Sequence, residues 1–125
     1  MYDGVQVQLT ERIIGCAIEV HRHLGPGLLE SVYERALCIE LRATGLTFRR
    51  QVGVPLYYKS ELISEHRPDL VVSDAVVVEV KSIARFEPVH DAQMLTYLRV
   101  TELHVGLILN FNTAVMKNGI RRLVR

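Results

Sequence analysis

The sequence predicts an α/β domain, a β-sheet flanked by helices in the order α-α-β-β-β-α-β-β. Three observations carry that prediction. Residues 9–44 repeat apolar side chains at helical spacing, residues 47–82 change to alternation and valine runs, and a helical stretch at 88–101 separates two further strands. With 125 residues, the chain is read as a single domain, 1–125, large enough to bury a core.

Residues 1–7 read as a loose or extended lead-in. From Leu9 to Leu24, Ile13, Ala17, Val20 and Leu24 recur at helical spacing, with Ile14 and Ile18 beside them. Gly25-Pro26-Gly27 stops this helix, since glycine takes the left-handed C′ position and proline cannot continue the hydrogen-bond ladder. A second helix is expected from Leu28 to Thr44, ended by Gly45. Thr47–Tyr58 reads as a strand in which Gly53 and Pro55 mark a bulge or an edge. The YKSE tetrapeptide is a turn, and Leu62–Val72 is a second strand running through EHRPD. Ser73-Asp74 leads into a valine strand that ends near Ser82. Pro88 suits the first turn of a third helix reaching Thr101. Val105–Phe111 is a buried strand, Asn118-Gly119 a turn, and Ile120–Val124 a short closing strand.

A formal net charge of +1 excludes a globally basic polyanion binder, so any contact with nucleic acid has to come from a local patch. Arg49, Arg50, Arg67, Arg85 and Arg99 are the candidate cations, while Lys117, Arg121, Arg122 and Arg125 read as a solvated rim. Cys16 and Cys38 lack metal-ligand spacing and read as buried free thiols of a reducing compartment. The N-terminal residues show no signal-peptide pattern and no apolar run reaches membrane length, which points to a cytoplasmic protein with no membrane partner.

The chemistry sits in charges that a plain core does not explain. Residues 76–82 read VVVEVKS, a strand covered on both faces that nevertheless carries Glu79 and Lys81. These two share strand parity and lie roughly 6.7 Å apart on one face, with Val76, Val78 and Val80 on the other. A structural ion pair at a strand end explains them as well as a wet cleft does. Asp69 adds weight to the cleft. A three-residue loop at 73–75 sets Asp69 opposite Glu79 with both acids on one face, whereas a two-residue loop pairs Asp69 with Val78 and sends them to opposite faces. Facing carboxylates repel unless a positive group lies between them, and a hard divalent cation meets that need. Glu30 lies on the apolar arc of the second helix near Tyr33, Leu37 and Leu41, and Glu40 does too; a helix-dipole or capping role accounts for Glu30 equally. On the third helix His90, Gln93 and Tyr97 share a face, with Met94, Leu95 and Leu98 packing; His90 reads as a surface residue.

Taken together, Glu30, Asp69, Glu79-x-Lys81 and Gln93-x-x-x-Tyr97 resemble the PD-(D/E)xK nuclease superfamily. The stretch GPGLLESVYE, with Gly27-x-x-Glu30-x-x-Tyr33, looks like the signature of its small GxxExxY-type members, and Pro68-Asp69 matches the opening proline-acid pair. The resemblance runs from about Leu9 to the C-terminus. It implies a restriction-endonuclease-like core with a central mixed β-sheet flanked by helices. It further implies that Asp69, Glu79 and the carbonyl of Val80 hold Mg2+ or Mn2+ and that Glu30 contacts the metal or its waters. Lys81 would orient the attacking water or stabilise phosphate charge, and Gln93, Tyr97 and Tyr33 would support the site or contact substrate.

The function so implied is hydrolysis of phosphodiester bonds in DNA or RNA, by a metal-dependent nuclease whose small size suggests a homodimer. The alternative is a catalytically silent nucleic-acid-binding or scaffold protein that retains the nuclease fold. A third reading, a buried salt-bridge cluster without a ligand, expects no divalent ion to bind.

Overall fold

A computed structural model describes residues 2–125, with side chains from Gln6 onward. Helix α1 (Tyr2–Leu24) is followed by α2 (Glu30–Ala43), and then by strands β1 (Phe48–Arg50), β2 (Val54–Tyr58), β3 (Glu61–His66), β4 (Leu70–Val72) and β5 (Val76–Lys81). Helix α3 (Pro88–Thr101), β6 (Val105–Asn110), a 3-10 turn at Met116–Gly119 and β7 (Ile120–Val124) complete the chain. The main sheet has the order β1-β4-β5-β6-β7, with β5 and β6 parallel and every other neighbour antiparallel. This is a mixed sheet flanked by helices on both faces, as the fold class predicted.

Its two faces divide the core. Helices α1 and α2 lay Ile13, Ala17, Val20, Leu37 and Leu41 against Leu70, Val76, Val78, Val80, Leu107 and Leu109. Helix α3 covers the other face with Met94, Tyr97 and Leu98 against Val77 and Ile108. The α3 layer fits closely: a side chain at Gly106 would collide with Met94, so β6 carries a glycine where the helix crosses it. Buried Cys16 and Cys38 are free thiols, as read from the sequence. No helix is long and apolar enough to cross a membrane among the described residues.

Three expectations are corrected. The helix begins well before Leu9, so residues 2–7 are helical and not a loose lead-in; Met1 lies outside the described residues. Thr47–Tyr58 is two strands in different sheets, because the chain turns at Gln51, which adopts φ +52°. Leu62–Val72 is likewise split, with β3 pairing to β2 in a separate hairpin and β4 joining the main sheet. Pro68, which has no N–H to donate, stands at that break.

The link between α1 and α2 is held from below. Gly25 takes φ +67° and its N–H bonds the His21 carbonyl, closing α1. The Tyr33 hydroxyl donates to the Gly25 carbonyl at 2.5 Å and accepts from the Leu28 N–H at 3.1 Å. Its fully buried ring stacks on Phe111, with centroids 4.6 Å apart. Tyr33 is therefore a loop clamp and does not reach solvent. Tyr33→Phe should lower unfolding stability by about 1–3 kcal/mol, the cost of stranding two backbone groups. Denaturant titration checks this, and an unchanged midpoint at constant slope would contradict the clamp.

Candidate active site

The β4–β5 hairpin decides where the acids go. Val72 pairs with Val76 and Leu70 with Val78, so the connecting loop holds three residues and the register continues to Asp69 opposite Glu79. Ser73 and Asp74 both take φ +53° to make that turn. Two crossed hydrogen bonds extend the ladder by one step: the Asp69 N–H donates to Glu79 Oε1 at 2.8 Å, and the Val80 N–H donates to Asp69 Oδ2 at 2.7 Å. The N–H and C=O of a strand residue point to the same neighbour, so the Val80 carbonyl also faces the Asp69 side.

Charge in this corner is poorly balanced. Burial, with the Asp69 carboxylate nearby, pushes Glu79 up to about 7, while Lys81 and the Asp69 N–H offset part of that rise. Burial also pushes Asp69 up to about 6; the Val80 N–H lowers it, and the carboxyl of Glu34 raises it further. Lys81 Nζ lies 3.8 Å from Glu79 Oε2, and its side chain is 19% exposed. Lys81 thus answers Glu79, and Arg50 answers Glu34. Tyr97 reaches the same corner from α3, where burial and the charges of Glu79 and Asp69 push its hydroxyl up to about 12. Gln93 sits one turn earlier, half-buried on the same helix face.

Glu30 stands at the edge of this group, where its charge adds to the rise at Glu79. It is exposed, and its carboxylate accepts the Ser82 N–H at 3.2 Å, while Ser82 Oγ donates to the Leu28 carbonyl at 2.7 Å. Among the described residues no three or more His, Cys, Asp and Glu side chains gather in a ligating arrangement. The acid that α2 brings to Asp69 is Glu34, one turn beyond Glu30 and only 7% exposed. Arg50 holds it from the other side, with Nε and a terminal nitrogen on Glu34 Oε2 at 3.0 and 2.8 Å. The sequence signal for Glu34 was its i+4 spacing from Glu30, which puts both acids on one helix face.

Two further supports escaped the sequence reading. Gln51 bonds the Asp69 carbonyl through its N–H at 3.0 Å and reaches Asp69 Oδ1 with its side chain at 3.5 Å. Asn110, 2% exposed, accepts the Ile83 N–H and donates to the Ile83 carbonyl, fixing the chain just beyond Lys81. Of the candidate cations, Arg50 connects to the site through Glu34. Arg49 pairs with Asp74 in the hairpin turn at the opposite end of β4–β5, Arg67 pairs with Glu65, and Arg85 with Glu87. Arg99 is exposed on α3. His90 closes a capping box with Glu87, and Leu95 is 43% exposed, so it adds little packing. On the expected rim, Arg121 pairs with Asp91 and lies over the Phe86 ring.

Against known families, residues 7–123 match the model of the PD-(D/E)XK nuclease superfamily. No curated protein and no solved structure matches the chain.

The raised carboxyl values fix a pH dependence. Glu79 ordinarily titrates near 4.5 and here near 7, so between these values the folded state holds a proton that the unfolded chain has released. Stability is therefore greatest below about pH 4.5 for this group and is lost as pH rises through 7. Glu79→Gln should remove that slope and make the metal-free protein more stable at pH 8, on the order of 2 kcal/mol. Thermal unfolding at pH 5 and pH 8 tests it; an unaltered pH slope in the variant would contradict the assignment.

Proposed function

The chain belongs to the PD-(D/E)XK nuclease superfamily, and from that premise we propose that it hydrolyses phosphodiester bonds in nucleic acid with a divalent cation held at Asp69 and Glu79. The observation that carries this reading is the crossed Asp69–Glu79–Val80 hydrogen-bond pair, which fixes a half-buried and a buried carboxylate side by side with Lys81 at their mouth.

The donor set suits a hard cation such as Mg2+ or Mn2+. Two carboxylates and the Val80 carbonyl offer oxygen alone, and burial first, with neighbouring acid charge adding to it, raises both Asp69 and Glu79. Helix α2 adds two acids, Glu34 beside Asp69 and Glu30 within electrostatic reach of Glu79. When bound, such an ion neutralises phosphoryl charge and makes a coordinated water more acidic.

The protein's own groups then divide the work. Asp69 and Glu79 must be deprotonated to act as ligands, so activity should rise with pH through the interval from 6 to 7. Lys81 is tethered by Glu79 and presents its ammonium as a point charge to a phosphate oxygen or the attacking water. Tyr97 stays protonated throughout the working range, so it positions by hydrogen bonding and does not serve as a base. Hydrolysis forms a bond from water oxygen to phosphorus and breaks the bond from phosphorus to the leaving sugar oxygen; the water loses a proton to solvent and the leaving oxygen takes one from solvent.

The test is cleavage of labelled single- and double-stranded DNA and RNA with Mg2+ or Mn2+. Wild type should cut at least one substrate and stop when the metal is chelated. Lys81→Ala should slow cleavage by roughly 100-fold or more while metal affinity is retained. A wild-type protein that cuts none of the panel with either metal would leave the silent, substrate-binding reading in its place.

A further inference from the structure

A second feature lies between α2 and β1, beside the acidic cluster and separate from it. A groove of about 320 Å³ is lined by Arg35, Cys38, Ile39 and Arg42 from α2 and by Arg50 from β1. Three guanidinium groups line it, and no acid does.

The sequence leaves these charges uncompensated. The positions three and four residues from Arg35 and Arg42 along α2 are Ser31, Val32, Cys38, Ile39, Gly45 and Leu46, so no helix neighbour can form an ion pair with either. Arg42 lies over the Phe48 ring, 5.6 Å from its centroid, which orients the guanidinium without neutralising it. Among the described residues neither Arg35 nor Arg42 has an acidic partner. Arg50 spends one edge of its guanidinium on Glu34, and its side chain is 53% exposed. A guanidinium has five N–H donors, so the outer edge of Arg50 remains open to the groove. The Cys38 thiol is pushed up by burial and forms a neutral wall.

Like charges gathered on one helix face cost stability unless an anion answers them. The groove also connects to the catalytic carboxylates through a single chain of contacts, Arg50 to Glu34 to Asp69. We propose that this groove binds the phosphate backbone of a nucleic-acid strand beyond the bond that is cut, a claim that rests on the nuclease reading. Arg35 and Arg42 are two helical turns apart, about 10.5 Å along the axis. That separation spans about three nucleotide steps of a strand at 3.4 Å each. The two arginines take backbone phosphates about three nucleotides apart while Arg50 carries the strand toward Asp69.

Binding of fluorescent single- and double-stranded DNA and RNA, measured by anisotropy in chelator over a salt series, tests this without cleavage. Arg35 and Arg42 are exposed, so the Arg35→Ala/Arg42→Ala double variant should fold, and circular dichroism checks that it does. The slope of log affinity against log salt should shrink by about 1.4 on single strands or about 1.8 on duplex. Arg35→Lys/Arg42→Lys should retain the wild-type slope. The nucleic acid that shows the change identifies the strand type the groove takes. Hydrolysis of bis(p-nitrophenyl) phosphate, too short to reach the groove, should be unchanged in the alanine double variant while KM for the polymer rises. An unchanged salt slope, or a wild type that binds no nucleic acid, would overturn the proposal. A wild type that binds with the expected slope yet hydrolyses neither substrate would instead count against the nuclease reading alone.

Discussion

Two hydrogen bonds at the end of one hairpin organise the molecule's chemistry: Asp69 N–H to Glu79, and Val80 N–H to Asp69. Each carboxylate is anchored by the backbone of the other's strand, so neither can swing away to relieve their mutual repulsion. Their burial is costly, as the upward displacement of both groups records. Backbone donors and the Lys81 ammonium offset part of that cost and leave the rest as an attraction for added positive charge. The arrangement exists only because the loop at 73–75 has three residues. One residue fewer would send Asp69 through the sheet to the α1–α2 face.

The rest of the fold serves as a frame for this corner. The larger core, under α1 and α2, fixes the sheet through Leu70, Val78 and Val80, the residues that alternate with the site's side chains along β4 and β5. The smaller core under α3 brings Tyr97 close without sealing the strand end. Beyond Lys81 the chain is held on both sides, by Glu30 at Ser82 and by Asn110 at Ile83. These contacts set the direction in which Lys81 leaves the sheet. Glu30 thus locks a backbone N–H with its carboxylate while its charge also acts on Glu79.

Much of this was legible from residue pattern. Helical spacing, the Gly25-Pro26-Gly27 stop, Pro88 and the valine run located all three helices and the strands that matter, because each signal is local. Parity arithmetic reduced the Asp69–Glu79 question to the length of one loop, and the structure supplies that length. What stayed hidden depended on tertiary depth. A helical wheel puts Glu30 and Glu34 on one face and cannot say that Glu34 bears on Asp69 and Glu30 on Glu79. The splitting of both middle strands followed from Gln51 in a left-handed conformation, which its residue type does not announce, and from the pairing of β2 with β3. The partnership of Arg50 with Glu34 spans 16 residues and two element types, beyond the reach of any local rule.

The claim beneath the account is that Asp69 and Glu79 form a cation-seeking pair whose carboxyls titrate above their ordinary values. Calorimetric titration of Mg2+ or Mn2+ in two buffers of different ionisation enthalpy, at pH 6 and again at pH 8, measures both binding and the protons it displaces. The account predicts saturable binding at both, with about one proton or more released per ion at pH 6 and close to none at pH 8, and no binding in Asp69→Asn. Absence of binding by the wild-type protein, or the same proton release at both pH values, would contradict it.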